Sequence, residues 1–161
     1  MTNKELCEKY PWLIPTNRWT GKIVEDFNYE YTELDSMPEG WRRAFGEQMC
    51  EELNQEILTW NKFDQEAFRI IDIKEKWGFL HFYTNFGSKE LYEIIDKYAE
   101  LSKTICIHCG QPAQWITRGW YMPICTNHAN EIFQHINSSY SAQTSWEDEF
   151  IDINEYYKKE D

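Results

Sequence analysis

The sequence predicts an α+β fold: a small antiparallel sheet with two amphipathic helices, plus a small cysteine- and histidine-bearing module on the C-terminal side. Three observations predict it. Large apolar side chains recur at three- and four-residue intervals in two stretches, 41–60 and 91–101. Between those stretches, two runs rich in Ile, Phe and Tyr flank a turn containing Gly78. After them come two close pairs of soft ligands, Cys106 with Cys109 and Cys125 with His128.

Taken in order, Thr2-Asn3-Lys4-Glu5 has the form of a capping box, in which Thr and Glu satisfy each other's free backbone N–H groups. It predicts a short helix from about Thr2 to Tyr10. Pro11 and Pro15 then punctuate an extended segment. Ile23-Val24, Tyr29 and Tyr31 are the candidates for short strands in the mixed stretch that follows. Ser36 precedes Pro38 and Glu39, which reads as a capped helix start. Trp41, Phe45, Met49, Leu53, Ile57 and Trp60 then line one face of a helix over 41–60, with most charges on the other faces.

Residues Lys74 to Gly78 join two strand-like runs into a β-hairpin, Gly78 supplying the turn geometry. Ser88 is placed to cap the second helix, whose expected buried stripe is Leu91, Ile94, Ile95, Tyr98 and Leu101. Helices on one side of an antiparallel sheet give the α+β class. A last helix is expected from Thr126 to about Tyr140. The organisation expected is an α+β domain over 1–104, a metal module over 105–140 packed on it, and an acidic tail over 141–161. From Trp146 onward that tail holds seven acids against two lysines, and Trp146, Phe150, Ile151 and Tyr156 are its docking candidates.

The 161 residues carry a net charge of -12, from 28 acidic and 16 basic side chains. A surface so negative repels phosphate backbones, which argues against non-specific nucleic-acid binding by the whole domain. It keeps an aromatic-rich chain soluble, and it also suits contact with a basic partner surface. The N-terminus lacks a basic start followed by an apolar run, and no stretch reaches the roughly 18 apolar residues of a membrane span. Five cysteines is an odd number that a full disulfide framework would not leave, so reduced thiols in a cytoplasm are expected.

The ligand pairs carry the clearest chemistry. Cys106-Ile107-His108-Cys109 places two thiolates on one tight turn, with Gly110 permitting the bend. Fifteen residues separate Cys109 from Cys125, and His128 follows three positions later on the first turn of a helix. Residues 115–124 supply an intervening hairpin with Arg118-Gly119 near its tip. Zinc takes four such ligands in a tetrahedron, and this order of knuckle, hairpin and helix start is treble-clef-like. Four protein ligands close the coordination sphere, so Cys106, Cys109, Cys125 and His128 are expected to hold one structural Zn2+. A redox pair is the lesser alternative, lacking a surrounding βαβ pattern. His108 is a reserve ligand, and His81, His135, Cys7 and Cys50 read as ordinary structural or surface residues.

No motif sets a nucleophile beside a base. The hairpin between the ligand pairs has no His, Asp or Glu, which counts strongly against HNH-type nuclease chemistry there. The consecutive acids Glu51-Glu52 and Asp148-Glu149 diverge in regular structure. A binding protein is expected rather than an enzyme. Between Cys106 and His128 the only formal charge besides the histidines is Arg118, while Trp115, Trp120, Tyr121 and Met122 crowd the hairpin. Trp115, Arg118, Trp120 and Tyr121 are therefore the candidate partner-binding residues. The alternative is that the aromatics simply cover the module's small core.

Several of these segments together resemble a family of small phage and prophage proteins. The matching features are Tyr10-Pro11-Trp12-Leu13, the stretch Ile73-Lys74-Glu75-Lys76-Trp77-Gly78-Phe79-Leu80-His81-Phe82-Tyr83, then Cys106, Cys109-Gly110, Pro112, Gly119-Trp120, Cys125 and His128. The family more often has Phe-Gly-Gly and an Arg where this chain has Trp77-Gly78-Phe79 and His81. The resemblance implies a phage setting in a bacterial cytoplasm and a zinc module, and it names no activity. The leading expectation is a zinc-stabilised adaptor or inhibitor that contacts a host or phage protein, such as a host enzyme or defence complex. The alternative is a zinc-ribbon regulator that contacts nucleic acid through Arg118 and the hairpin aromatics.

Overall fold

Thr2 caps the first helix as its spacing requires. Its Oγ1 accepts from the Glu5 N–H at 3.3 Å, and Glu5 Oε2 accepts from the Thr2 N–H at 2.6 Å. The computed structural model describes residues 1–138 and 143–159. Helix α1 runs Asn3–Lys9 and buries Leu6 and Cys7. A 3-10 turn, Pro11–Leu13, then buries Trp12 and Leu13. The strands expected near Ile23 and Tyr29 do not form. Only an isolated bridge joins Thr16 to Ile23, and Asp26 and Tyr29 adopt positive φ, which breaks any extended run. Asn17 explains the loop instead: its Oδ1 accepts from the N–H groups of Trp19 and Thr20.

Ser36 ends a second 3-10 turn, Glu33–Ser36, and does not cap the following helix, whose N-cap is Pro38. That long helix is continuous but not uniform. It comprises α2 (Glu39–Trp41), a five-residue π-helical segment (Arg42–Gly46) and α3 (Glu47–Ile57). Trp41, Phe45, Met49, Leu53 and Ile57 are buried as the periodicity requires. The helix stops short of Trp60, because Asn61 caps a separate short helix, α4 (Lys62–Ala67), by accepting from the Asp64 N–H at 2.9 Å.

Strands β1 (Ile70–Lys76) and β2 (Phe79–Thr84) pair antiparallel with Lys76 opposite Phe79. The turn is only Trp77-Gly78, both at positive φ (60° and 84°), the mirror-image geometry that matches strand twist. Ile73, Leu80 and Phe82 face the core. Helix α5 (Lys89–Ser102) follows, with Ser88 accepting from the Leu91 N–H at 3.0 Å. Leu91, Ile95 and Tyr98 are buried and Ile94 half-buried, whereas Leu101 is exposed. The last turn rotates Ser102 inward instead, and its hydroxyl accepts from the Leu80 N–H at 2.8 Å while donating to the Ala99 carbonyl. Tyr98 stacks on Phe45 and donates to Glu52, tying α5 to the long helix.

Strands β3 (Trp115–Thr117) and β4 (Pro123–Ile124) form the second hairpin, and α6 (Thr126–Ser138) follows it. The expected helix end near Tyr140 lies outside the described residues. A short helix α7 (Trp146–Glu149) leads into β5 (Phe150–Asp152) and then α8 (Ile153–Lys158). Strand β5 pairs antiparallel with β3, giving a three-stranded sheet in the order β4-β3-β5. The chain thus combines helices with two small antiparallel sheets. Among the described residues, no helix is long and apolar enough to cross a membrane.

Candidate metal centre

The knuckle is built by backbone geometry. The Gly110 N–H donates to the Cys106 carbonyl at 3.0 Å and the Cys106 N–H to the Gln111 carbonyl at 2.7 Å, closing the turn that carries Cys106 and Cys109. Gly110 sits at φ 79°, and a Cβ there would lie 2.5 Å from the Gly40 carbonyl oxygen. The glycine is needed both for its left-handed backbone and for this close approach. Ile107 donates to the Pro123 carbonyl at 3.0 Å, which holds the knuckle against β4. Cys125 follows β4 directly, and His128 lies in the first turn of α6, so two adjoining elements deliver the second pair.

These four side chains converge. Their donor atoms all lie within 4.8 Å of one another, with Cys106 and Cys125 buried and Cys109 and His128 half-buried. Cys109 Sγ stands 3.7 Å from Cys125 Sγ. His128 presents Nδ1, at 3.6 Å from Cys106 Sγ and 3.2 Å from Cys125 Sγ. Four donors so spaced surround one small volume and can hold a single metal ion. Burial pushes the Cys125 thiol up to about 11, and the Cys109 and Cys106 sulfurs add to the rise. At Cys106 burial also opposes ionisation, yet the backbone N–H groups of Cys125, Cys109 and His108 hold its thiol below the usual range. Three thiolates can share such a space only beside a cation.

The other sequence-predicted residues are distributed as follows. His108 is exposed, its ring 5.1 Å from that of His128, and it is not among the converging donors. Cys7 and Cys50 are buried, and burial pushes the Cys50 thiol up to about 12, an inert environment. Half-buried Trp115 packs edge-on against Trp146 at 5.2 Å and donates from Nε1 to Thr126 Oγ1, so it supports the start of α6. Arg118 donates from its backbone N–H to the Glu149 carbonyl and from Nε to the Glu147 carbonyl, fastening the C-terminal segment. Tyr121 stacks on Tyr156 at 5.8 Å. Trp120 alone of the four projects freely, at 79% exposure.

Two residues escaped the sequence reading. Gly40 donates its N–H to the Ile107 carbonyl at 2.9 Å, and a Cβ on it would meet the Cys106 carbonyl oxygen at 2.3 Å, so the metal knuckle rests directly on the long helix. Nothing in the sequence marks a helical glycine as such a contact. Trp77 was counted with the hairpin but is 75% exposed. Its place next to Gly78 in the Lys74–Gly78 turn is the sequence signal, since a turn side chain points away from both strands. Comparisons with family models, with curated proteins and with solved structures find no match to this chain.

Proposed function

We propose that the Cys106, Cys109, Cys125 and His128 cluster is a structural, treble-clef-like Zn2+ site. A tetrahedral zinc with thiolate bonds of about 2.3 Å and an imidazole bond of about 2.0 Å has edges of about 3.8 Å between sulfurs and about 3.5 Å between sulfur and nitrogen. Three of the six separations, 3.7, 3.6 and 3.2 Å, are close to those edges, and all six lie within 4.8 Å. Zinc so held keeps no open position for a substrate. It would lock the knuckle to the helix start.

On that scaffold, the reading we favour is an acidic binding protein that acts by protein–protein contact. Following the family resemblance, it is phage-encoded and works in the bacterial cytoplasm as an inhibitor of a host enzyme or defence complex. The observation that carries the contact reading is Trp120, a large apolar side chain 79% exposed at the tip of a braced hairpin, on a chain of net charge -12. A nucleic-acid reading draws support from Lys74 and Lys76, because the β1–β2 turn abuts the second hairpin at Tyr121. Charge pairing weighs against it. Lys74 is bridged to Asp72, Arg42 to Asp35 and Arg43 to Glu39, so three of the four cations that would attract phosphate already face carboxylates. The test is capture from bacterial lysate by the tagged full-length protein, with and without nuclease. A stoichiometric protein that survives nuclease supports the contact reading. No retained protein at near-physiological salt, or a catch lost with nuclease, overturns it.

A further inference from the structure

Two turns from different sheets meet in this fold. A Cβ on Gly78 would lie 2.2 Å from the Tyr121 carbonyl oxygen, so the Trp77-Gly78 turn and the tip of the β3–β4 hairpin are in backbone contact. Each turn raises a tryptophan into solvent beside this seam: Trp77 at 75% exposure and Trp120 at 79%. Each is also built against local preference. Trp77 has φ 60° and Tyr121 φ 54°, a region that favours Gly or Asn and costs a residue with a large side chain about 1 kcal/mol or more. Side-chain burial does not repay Trp77 for that conformation, since the ring is in water. The two-residue turn requires this backbone at its first position, where Asn, Asp or Gly would adopt it at less cost, so hairpin geometry does not account for a Trp there.

The charge beside the pair identifies what it takes. Arg118 holds the backbone of residues 147–149 beside the hairpin, so the exposed acids Glu147 and Asp148 lie on the segment that flanks Trp120. Tyr121 also stacks on Tyr156, whose sequence neighbour Glu155 is exposed. Residues 143–159 hold five acids against two lysines. Indole faces attract guanidinium and ammonium groups, and neighbouring carboxylates pair with them. We infer that the Trp77–Trp120 ridge and the carboxylates of α7 form a docking site for an arginine- and lysine-rich segment of a partner protein. The inference rests on the protein-contact reading above and names the chemistry of that partner. Lys76, Arg118 and, beside Tyr156, Lys158 and Lys159 are the opposing charges. A basic ligand is repelled by Lys76, whereas a nucleic acid is attracted to it.

The experiment uses the full-length, zinc-loaded protein and fluorescence anisotropy with three labelled probes: an Arg/Ser peptide, a Glu/Ser peptide of equal length, and single-stranded oligo-dT. The Arg/Ser peptide is expected to bind and the Glu/Ser peptide not to. Trp77→Ser and Trp120→Ser should each weaken binding about tenfold, as loss of a cation–π anchor does. Lys76→Glu should tighten it several-fold. Zinc content and Tm of the variants verify folding, which such exposed positions leave intact. Binding that ignores both tryptophans overturns the site in favour of diffuse attraction to the -12 charge. Absence of Arg/Ser binding overturns it too, as does oligo-dT binding that Lys76→Glu abolishes. If the peptide fails while Trp120→Ser still removes nuclease-resistant protein capture from lysate, the basic class falls and protein contact stands. If the only capture is nuclease-sensitive, both fall.

Discussion

The core around the long helix and the core under the second sheet differ by an order of size. The first gathers Trp41, Phe45, Met49, Leu53, Phe68, Tyr98 and their neighbours, nearly all fully buried. The second consists of Ala113, Ile116 and Ile153, with Ile151, Tyr156 and Tyr157 packed partly against it. At about 25 cal/mol per Å² of apolar burial the first is stabilised far more, while Ala113, Ile116 and Ile153 offset little of the ordering of their own strands. A metal held by the four converging donors would supply what this core lacks. Yet the metal ligands do not belong to the small core: Cys106 and Cys125 are buried in the large one, with Ile107, Ile124 and Ala129. The metal centre therefore sits at the junction. Gly40 and Trp41 of the long helix hydrogen-bond to the carbonyls of Ile107 and Ile105 on either side of Cys106. The comparison teaches that loss of metal should be felt on both sides of the junction.

The largest expected effect comes from removing one ligand. If the cluster holds zinc as proposed, Cys109→Ser should fail to retain it, read by native mass spectrometry, and lower Tm steeply, because ligation in comparable modules is worth of the order of 10 kcal/mol. Hydrogen exchange should show lost protection at Gly40 and Trp41 as well as in β3 and β4. Full zinc occupancy in the variant would sink the ligand assignment. Protection lost only in the sheet would break the junction argument and make the two cores independent.

A smaller effect is expected from altering the junction without touching a ligand. Gly40→Ala puts a methyl group 2.3 Å from the Cys106 carbonyl oxygen and 2.5 Å from that of Ile107, both backbone atoms with little room to yield. Overpacking of this kind costs about 1–3 kcal/mol. Chemical denaturation should show that loss, with weaker zinc retention against a chelator than in the parent. A variant that loses stability and holds zinc as tightly as before would separate the knuckle from the helix energetically.

How far the sequence disclosed this arrangement follows from the range of the signals. The long helix was legible because its apolar spacing is local and periodic, and so were the Thr2 and Ser88 caps, each set within four residues. The ligand quartet was legible because the two pairs share one chemistry. Strand β5 was not, since Phe150, Ile151 and Ile153 are embedded among acids and acquire a partner only when β3 is already in place. Leu101 fitted the stripe by spacing alone; the final turn against β2 turns Ser102 inward in its place. The break after Ile57 was masked by Trp60, which keeps the apolar interval and packs on Phe68 and Phe86 from outside the helix.

The smallest effect concerns how the large core is pinned at its edge, away from the metal. Asp35 is half-buried. Burial alone would raise its pKa, but the Thr32 N–H at 2.7 Å and the Arg42 guanidinium outweigh burial and hold the carboxyl below its ordinary 3.8. A carboxyl depressed in the folded state contributes stability that is present above the unfolded pKa and fades as pH falls through the folded one. Asp35→Asn preserves the shape and removes the charge. At pH 7 it should cost about 1–3 kcal/mol, the value of hydrogen bonds to a charged group. The gap between parent and variant should narrow below about pH 4, where the unfolded parent takes up the proton first, and close as pH falls through the lower folded pKa. Zinc content should be unchanged, since Asp35 touches the π-helical segment through Arg42 and not the knuckle. A gap that persists undiminished into acid would mean that packing, not the carboxylate, holds this edge. Weakened zinc retention would instead show that the π-helical segment transmits strain from Arg42 to Gly40, and would extend the junction further into the large core.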